Sequence, residues 1–211
     1  MKILLYTLTT VFLCVLCYAQ DQKNTGNPFF KEWTTPFETP PFNDIKTEHF
    51  MPAYDEGMKQ HKSEIDAIIQ NTESPTFQNT IGTLEQSGKL LTKVDYVFAS
   101  LNDANTNDEM QKIAKTIAPI LSKHNDDISL NPKLFERVKQ IYDNRDNLPL
   151  TTEQKTVLDN YYKGFVRGGA NLSDEAKEKF RKINEELSVL TVKFGENLLK
   201  ETIAIGLVID N

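Results

Sequence analysis

Three histidines, His49, His61 and His124, are the side chains that could act as general bases or metal ligands near neutral pH. None is followed by Glu, so the sequence lacks the H-E-x-x-H motif that places two imidazoles and a general base on one helical face. Glu56 and Glu64 lie at helical spacings from His61 and could complete a metal site. Such neighbours also arise by chance on a charged helix face, and we expect a solvated surface there.

The other two histidines have simpler interpretations. We expect His49 to be a surface or capping residue in the first turn of a helix. His124 precedes three polar residues, Asn125, Asp126 and Asp127, and we expect it to be exposed at a helix end. We therefore predict no catalytic residue and no metal ligand in this chain, and the sequence leaves any substrate-binding residues unknown.

Gly168 and Gly169 superficially suggest a phosphate-binding loop, with Arg167 beside them as a possible anion ligand. The pair lacks the G-x-x-x-x-G-K-[ST] spacing and no strand is predicted before it, so a helix stop is the favoured interpretation, with Arg167 stabilising the helix end. No G-x-S-x-G elbow occurs either. The residues alone therefore show no catalytic constellation.

Composition restricts the class of partner. The chain has 211 residues, with 24 Lys and Arg against 30 Asp and Glu, a net charge of −6 and a mean hydropathy of −0.46. Binding to nucleic acid needs a concentrated positive face, and no basic run is present. We expect a globular protein of one large or two small domains that does not bind nucleic acid.

Residues 1–19 are typical of a secretory signal peptide. Lys2 precedes an apolar run, and Cys17 and Ala19 are the small residues expected before a cut after Ala19. An uncleaved anchor and a lipoprotein modified at Cys14 or Cys17 are the alternatives, although a Leu precedes each cysteine. We expect a periplasmic or secreted protein that leaves the membrane after cleavage. Since both cysteines lie in this segment, the mature chain would contain no disulfide.

The segment 20–45 is rich in proline and aromatic residues and poor in helical pattern. We predict an extended arm that pins aromatic side chains onto a helical body, because a disordered tail would seldom be so hydrophobic. A proline-rich ligand for a partner is the alternative. The aromatic residues concerned are Phe29, Phe30, Trp33, Phe37 and Phe42.

Residues 46–202 are predicted to form an all-α lobe of five to seven helices. One helix is expected to run unbroken from Phe77 to Leu101, with Gly88 either admitting a neighbouring helix or merely weakening this one. Pro119 is expected to bend the next. The helix starts are predicted at Thr47, Ser74-Pro75, Thr106, Asn131-Pro132, Thr151 or Thr152, and Ser173.

The clearest helical pattern comes last. Apolar residues step by three or four from Phe180 to Leu198. The segment 203–211 then changes character: residues 203–209 are apolar and β-branched, which predicts a strand or extended segment. Because one strand has no partner in a helical protein, either the segment packs as an extended piece or its structural context lies beyond residue 211. We expect a segment that continues beyond this chain.

Several phrases resemble the N-terminal region of the thimet-oligopeptidase family of zinc metallopeptidases, most closely its bacterial peptidyl-dipeptidase (dipeptidyl carboxypeptidase) branch. Their order and spacing over most of residues 27–200 make the resemblance specific. The phrases are NPF at 27–29, IKTEHFMPAY at 45–54, PTFQNTI at 75–81 and FVRGGANL at 165–172, with shorter ones at 41–42, 57–58, 84–85 and 87–88.

The resemblance implies a largely helical enzyme of two lobes around a channel that admits short peptides. Its zinc helix and catalytic residues would lie in the C-terminal half, so this chain would end before the catalytic domain and bind no zinc itself. The implied activity is zinc-promoted attack of water on a peptide carbonyl, releasing C-terminal dipeptides. The partners would be short peptides and the C-terminal catalytic domain. The alternative is a free-standing, non-catalytic helical module that binds peptides or proteins and covers all its apolar faces.

Overall fold

The structure, a computed structural model, describes residues 26–205. The predicted signal peptide at 1–19, with Cys14 and Cys17, lies outside the described residues, as do the start of the arm and residues 206–211. Among residues 26–205, no helix combines the length and the apolar character needed to cross a bilayer.

Six helices longer than two turns form the body, and the part of the chain that the structure describes contains no strand. The all-α prediction and the predicted number of helices are confirmed. A π-helical turn, Phe77–Gly82, and a short helix, Thr83–Gln86, lie between the first two. The six are α1 (Phe50–Gln70), α2 (Lys89–Asn105), α3 (Asp108–Ser129), α4 (Pro132–Asp143), α5 (Thr152–Arg167) and α6 (Asp174–Ala204).

Three of the predicted helix starts are confirmed by capping bonds. The Asn131 side chain accepts hydrogen bonds from the first turn of α4. Thr151 accepts from the backbone of Gln154, whose side chain accepts from the Thr151 N–H in return. Ser173 accepts from the Ala176 N–H at 3.3 Å. Each cap satisfies donors that the helix itself leaves free.

The other starts are displaced by one to three residues. Asn107, not Thr106, caps α3 by accepting from the Met110 N–H at 2.9 Å. Thr76, not Ser74, caps the π-helical turn, because Thr76 and Asn79 exchange side-chain-to-backbone hydrogen bonds. Thr47 opens a 3₁₀ turn that leads into α1 rather than capping it.

The prediction of one unbroken helix from Phe77 to Leu101 is wrong. The chain leaves helical geometry at Ser87, and Gly88 has a φ of +69° in the left-handed region. Glycine adopts this conformation at little cost, so the residue that interrupts the apolar series makes a turn. The helix therefore ends before residue 87, and α2 starts afresh at Lys89.

The arm prediction is half right. Phe29 is buried and packs on Phe50 with ring centroids 5.4 Å apart. Trp33 donates from Nε1 to a carbonyl within the arm, and the Lys93 ammonium lies 3.8 Å from its ring centroid. In contrast, the Phe37 side chain is 98% exposed, and Phe42 is also exposed. The arm is thus pinned at its start but not along its whole length.

The core has two clusters of buried side chains, and α1 belongs to both. Phe50 and Tyr54, early in α1, pack with the arm, α2 and α3. Ile65 and Ile68, late in α1, pack with the π-helical turn, α4 and α5. Gly57 lies between these halves, and a Cβ there would be 2.9 Å from the Leu91 Cα. This glycine lets α2 approach α1 closely.

The predicted strand near the C-terminal end is not seen where the structure describes it. Ile203 and Ala204 form the last residues of α6, and Ile205 is extended. Residues 206–209 lie outside the described range. Residues 203 and 204 extend the preceding amphipathic helix, and hydrogen bonds to the turn before them satisfy their backbone.

Candidate functional site

His61 of α1 and His124 of α3 meet where these helices pack together. His124 Nε2 lies 3.0 Å from His61 Nδ1, and both rings are half-buried. The expectations of a solvated His61 and of an exposed His124 at a helix end are therefore wrong. The local sequence could not predict the burial of either ring, because each ring is buried by the opposing helix.

The hydrogen-bond partners indicate which ring nitrogens carry protons. Ser87 Oγ donates to the Leu84 carbonyl at 2.7 Å, so it accepts from His61 Nε2 at 3.4 Å. His61 Nδ1 is then the free acceptor and receives the His124 Nε2–H. In this series of hydrogen bonds, each contact joins one donor to one acceptor when both imidazoles are neutral.

Burial supports the neutral state of the pair. It lowers the pKa of His61 below its usual value, and the carboxylate of Glu64 offsets part of this effect. Burial likewise lowers the pKa of His124, with a further lowering from His61 and an opposing effect from Asp127. Two neutral rings bound to each other hold α1 and α3 together.

Neither Glu64 nor Glu56 completes a metal site with the two histidines. Glu64 accepts a 2.7 Å hydrogen bond from the Gly88 N–H, and Glu56 binds Gln60 and Lys59 on the helix surface. Among residues 26–205, no group of three or more His, Cys, Asp or Glu side chains could hold a metal ion. The residues described thus do not fit a zinc site, and metal ligation elsewhere in the polypeptide stays a prediction.

Gly88 is part of this same contact. A Cβ on Gly88 would lie 3.1 Å from the His61 ring. Sequence reasoning offered a neighbouring helix or a weakened helix as the explanation. The approaching group is the His61 ring of the neighbouring helix α1, which confirms the first explanation, and the glycine also turns the chain.

The interpretation of His49 as a capping residue is confirmed. Its Nδ1 accepts from the Lys46 N–H at 3.0 Å, and its carbonyl accepts from Asn27 Nδ2 at 2.9 Å. These bonds fix the arm at the start of α1, so His49 has a structural role here.

The helix-stop interpretation of the glycine pair is also confirmed. Gly169 has a φ of +90°, the Gly169 N–H donates to Val166, and the Ala170 N–H donates to Phe165. These bonds end α5 in the Schellman arrangement. Arg167 is exposed in its last turn, where a cation favours the helix dipole.

The most unusual surface lies on α6, which contains no buried residue over its 31 residues. Five apolar side chains on one face are between 51% and 70% exposed. We call this set the α6 stripe, and it belongs to the series that gave the clearest helical pattern in the sequence. Its members are Ile183, Leu187, Leu190, Phe194 and Leu198.

Polar contacts bind another face of α6 to α3. Asn184 Nδ2 donates to Asp126 Oδ1 at 2.7 Å, and Arg181 pairs with Asp127 at 2.8 Å. Asp126 is buried, and this burial raises the pKa of its carboxyl although Asn184 and Arg181 oppose the effect. The rotation of α6 is therefore set by polar groups, with the stripe turned away from α3.

Sequence reasoning missed a buried cation in α4. Arg137 donates from Nη1 to the carbonyls of Asn71 and Glu73, and from Nη2 to Asn79, which ties the end of α1 to the next turn. The available signal was a charged residue inside the apolar face formed by Leu134, Val138 and Ile141. The His61–His124 contact gave no such signal, since the two residues are 63 positions apart.

The chain is similar in sequence to several known proteins. The chain is 40% identical over 187 residues to the dipeptidyl carboxypeptidase of Escherichia coli, matching 89% of this chain and 28% of that protein. It is 37% identical over 185 residues to the dipeptidyl carboxypeptidase of Salmonella typhimurium, matching 88% and 27% of the two chains. It is 24% identical over 168 residues to oligopeptidase A of Escherichia coli, and this match covers 80% of this chain and 25% of that protein.

The extent of these matches is as informative as their identity. The chain spans about a quarter of the length of the relatives it matches. None of the protein-family models matches the chain.

Proposed function

We propose that the chain, whose relatives are dipeptidyl carboxypeptidases and oligopeptidase A proteins, is the N-terminal part of an exported zinc peptidyl-dipeptidase of the thimet-oligopeptidase family. The whole polypeptide would release dipeptides from the C-terminus of short peptides. This part would form one wall of the channel that admits them, and the zinc site would be supplied by the polypeptide that follows.

The observation that carries this proposal is the difference in identity between two groups of relatives. The dipeptidyl carboxypeptidases are 40% and 37% identical to the chain, whereas the oligopeptidase A proteins of the same two organisms are 24% and 23% identical. All cover most of this chain, so coverage does not explain the difference. The dipeptidyl carboxypeptidase activity is therefore the one we assign.

The geometry of the described residues supports a role without catalytic groups. Both half-buried histidines are held in a chain of hydrogen bonds that joins two helices. His49 caps a turn, and the glycine pair ends a helix. The three histidines and the glycine pair thus all have structural roles, which fits a lobe that shapes a channel.

The α6 stripe argues against the alternative of a free-standing binding module. Such a module was expected to cover its apolar faces, but the stripe is more than half exposed along α6. A part of a larger protein has a physical reason to present such a surface, since its partner belongs to the same polypeptide.

The first test is the gene beyond codon 211. We expect an in-frame continuation that encodes H-E-x-x-H, and a purified product of the whole reading frame that releases C-terminal dipeptides in a chelator-sensitive way. Residues 20–211 alone should neither release dipeptides nor bind stoichiometric zinc. A stop codon followed by an unrelated gene, or turnover by residues 20–211, would overturn the proposal.

Export is tested separately. If residues 1–19 are a signal peptide, the mature protein from a bacterial periplasm or culture medium should begin at Gln20, as read by mass spectrometry of its N-terminal peptide. A cytosolic protein that retains residues 1–19 would contradict export and leave the proposed peptidase activity standing.

A further inference from the structure

We propose that the α6 stripe is the surface on which the C-terminal, catalytic portion of the same polypeptide packs. This inference rests on the proposed function, because it takes its partner from there. It assigns that partner a definite face of one helix, which neither the resemblance nor the matched relatives specify.

The orientation of the stripe is fixed before any partner arrives. To bury the stripe against α3, α6 would have to rotate and break the contacts of Asn184 with Asp126 and of Arg181 with Asp127. Asp126 is only 5% exposed, so losing Asn184 would leave a buried carboxyl without that partner. The lobe itself therefore does not cover the stripe.

The size of the stripe favours a tethered partner over a free one. From Ile183 to Leu198 it extends roughly 22 Å along the helix. Its exposed side chains form a patch on the order of 500 Å², near the upper limit for a soluble monomer. Independent proteins in a stable complex each bury about 800 Å². A covalently linked partner needs less, because its effective concentration reaches roughly the millimolar range.

The position of the stripe also favours the polypeptide that follows. Two further apolar side chains, Ile203 and Ile205, are 75% and 76% exposed at the end of α6. Exposed apolar side chains are thus present up to the end of α6, although Ile203, five residues after Leu198, lies on another face of the helix. More than two thirds of each dipeptidyl carboxypeptidase relative lies outside the match with this chain, which is ample material to cover such a surface.

Two variants of residues 20–211 test the inference. In the first, Leu187→Glu and Leu190→Glu together place two charges in the stripe. In the matched control, Lys193→Glu changes an exposed residue of α6 that is not part of it. Each is titrated calorimetrically with the polypeptide encoded in frame after codon 211. We expect the double variant to bind at least about 30-fold more weakly than the unmodified chain, and the control within about threefold.

Each outcome decides something. Equal binding by the double variant overturns the inference but leaves the proposed function intact, whereas the lack of an encoded downstream polypeptide removes both. A dimer of the chain alone that the double variant abolishes would assign the stripe to a second copy and overturn the inference.

If the downstream polypeptide does not fold by itself, or if without the covalent link it binds the unmodified chain too weakly to measure, the same substitutions are made in the full-length protein. Only the double variant should then lower its unfolding temperature, while both variants of residues 20–211 should unfold like the unmodified lobe. A full-length double variant that is as stable as the control would overturn the inference.

Discussion

Helices α1 and α6 show that a regular apolar pattern in the sequence does not determine how deeply a helix is buried. The apolar series of α1 is interrupted by Gly57, yet six of its residues are buried, and it joins both core clusters. The series of α6 is the more regular, yet none of its residues is buried. Periodicity therefore indicates which face of a helix favours burial, but not whether the chain contains the partner that buries it.

The contacts of the two helices explain the contrast. Helix α1 packs against the arm, α2, α3, α4 and the π-helical turn, so its apolar face is covered along its length. Helix α6 meets α3 through side chains such as Arg181 and Asn184, and its stripe faces outward. The same kind of amphipathic helix stabilises the lobe in one case and presents a surface in the other.

The largest expected effect comes from truncating one phenylalanine on each helix. Phe50→Ala removes a ring that is 1% exposed and should lower the free energy of unfolding by about 3–5 kcal/mol. Phe194→Ala removes a ring that is 70% exposed and should change it by less than about 0.5 kcal/mol. Urea denaturation of residues 20–211 measures both. Equal losses would mean that α6 is packed in the lobe after all.

A smaller effect is expected from adding a methyl group to one glycine on each helix. In Gly57→Ala the new Cβ meets the Leu91 backbone, and the strain should cost about 1–3 kcal/mol of unfolding free energy. In Gly195→Ala nothing lies within 4 Å of the new Cβ. The gain in helix propensity should then stabilise the lobe by about 0.5–1 kcal/mol. Thermal unfolding of both variants would contradict this contrast if the two shifts had the same sign.

The smallest effect concerns the contact between α1 and α3. His61 and His124 have pKa values below that of an unfolded histidine, so their contribution to stability is full above the unfolded pKa of about 6.5. It is lost as the pH falls from there through the folded pKa values. Glu64 and Asp127 moderate the loss, while Lys62 and Lys123 add to it for His124.

We therefore expect the urea midpoint to fall between pH 7.5 and pH 5, and by less in His124→Gln, in which one of the two titrating rings is removed. Helix α6 contributes no histidine of its own to this pH dependence. An identical pH dependence in His124→Gln and the unmodified chain would exclude the pair as the cause.

Local signals predicted most of the fold. The caps at Asn131, Thr151 and Ser173 were identified because a cap and the turn it serves are neighbours in sequence. The break at Gly88 was not, since an apolar series gives no information on the sign of φ. The mutual burial of His61 and His124 was also missed, because it depends on how two distant helices pack together.

Predictions about function rested on the family resemblance, whereas predictions about the fold rested on local structural signals. The resemblance to a peptidase family, carried by short phrases in a fixed order, is confirmed by the matched relatives. The residues themselves predicted no catalytic group, and the structure adds the hydrogen bonds in which the three histidines are engaged. The exposure of the stripe could not be predicted from the sequence, because it depends on whether another part of the protein packs against the helix.

The central claim is that this lobe presents the α6 stripe to the rest of a longer peptidase. Thiol labelling tests it most directly, with Leu190→Cys in the stripe and Lys193→Cys as the control, each in residues 20–211 and in the full-length product of the gene. The account predicts that the thiol at position 190 reacts rapidly in residues 20–211 and is protected in the full-length protein, while that at 193 reacts alike in both. Equal reactivity of the thiol at 190 in the two proteins would contradict it.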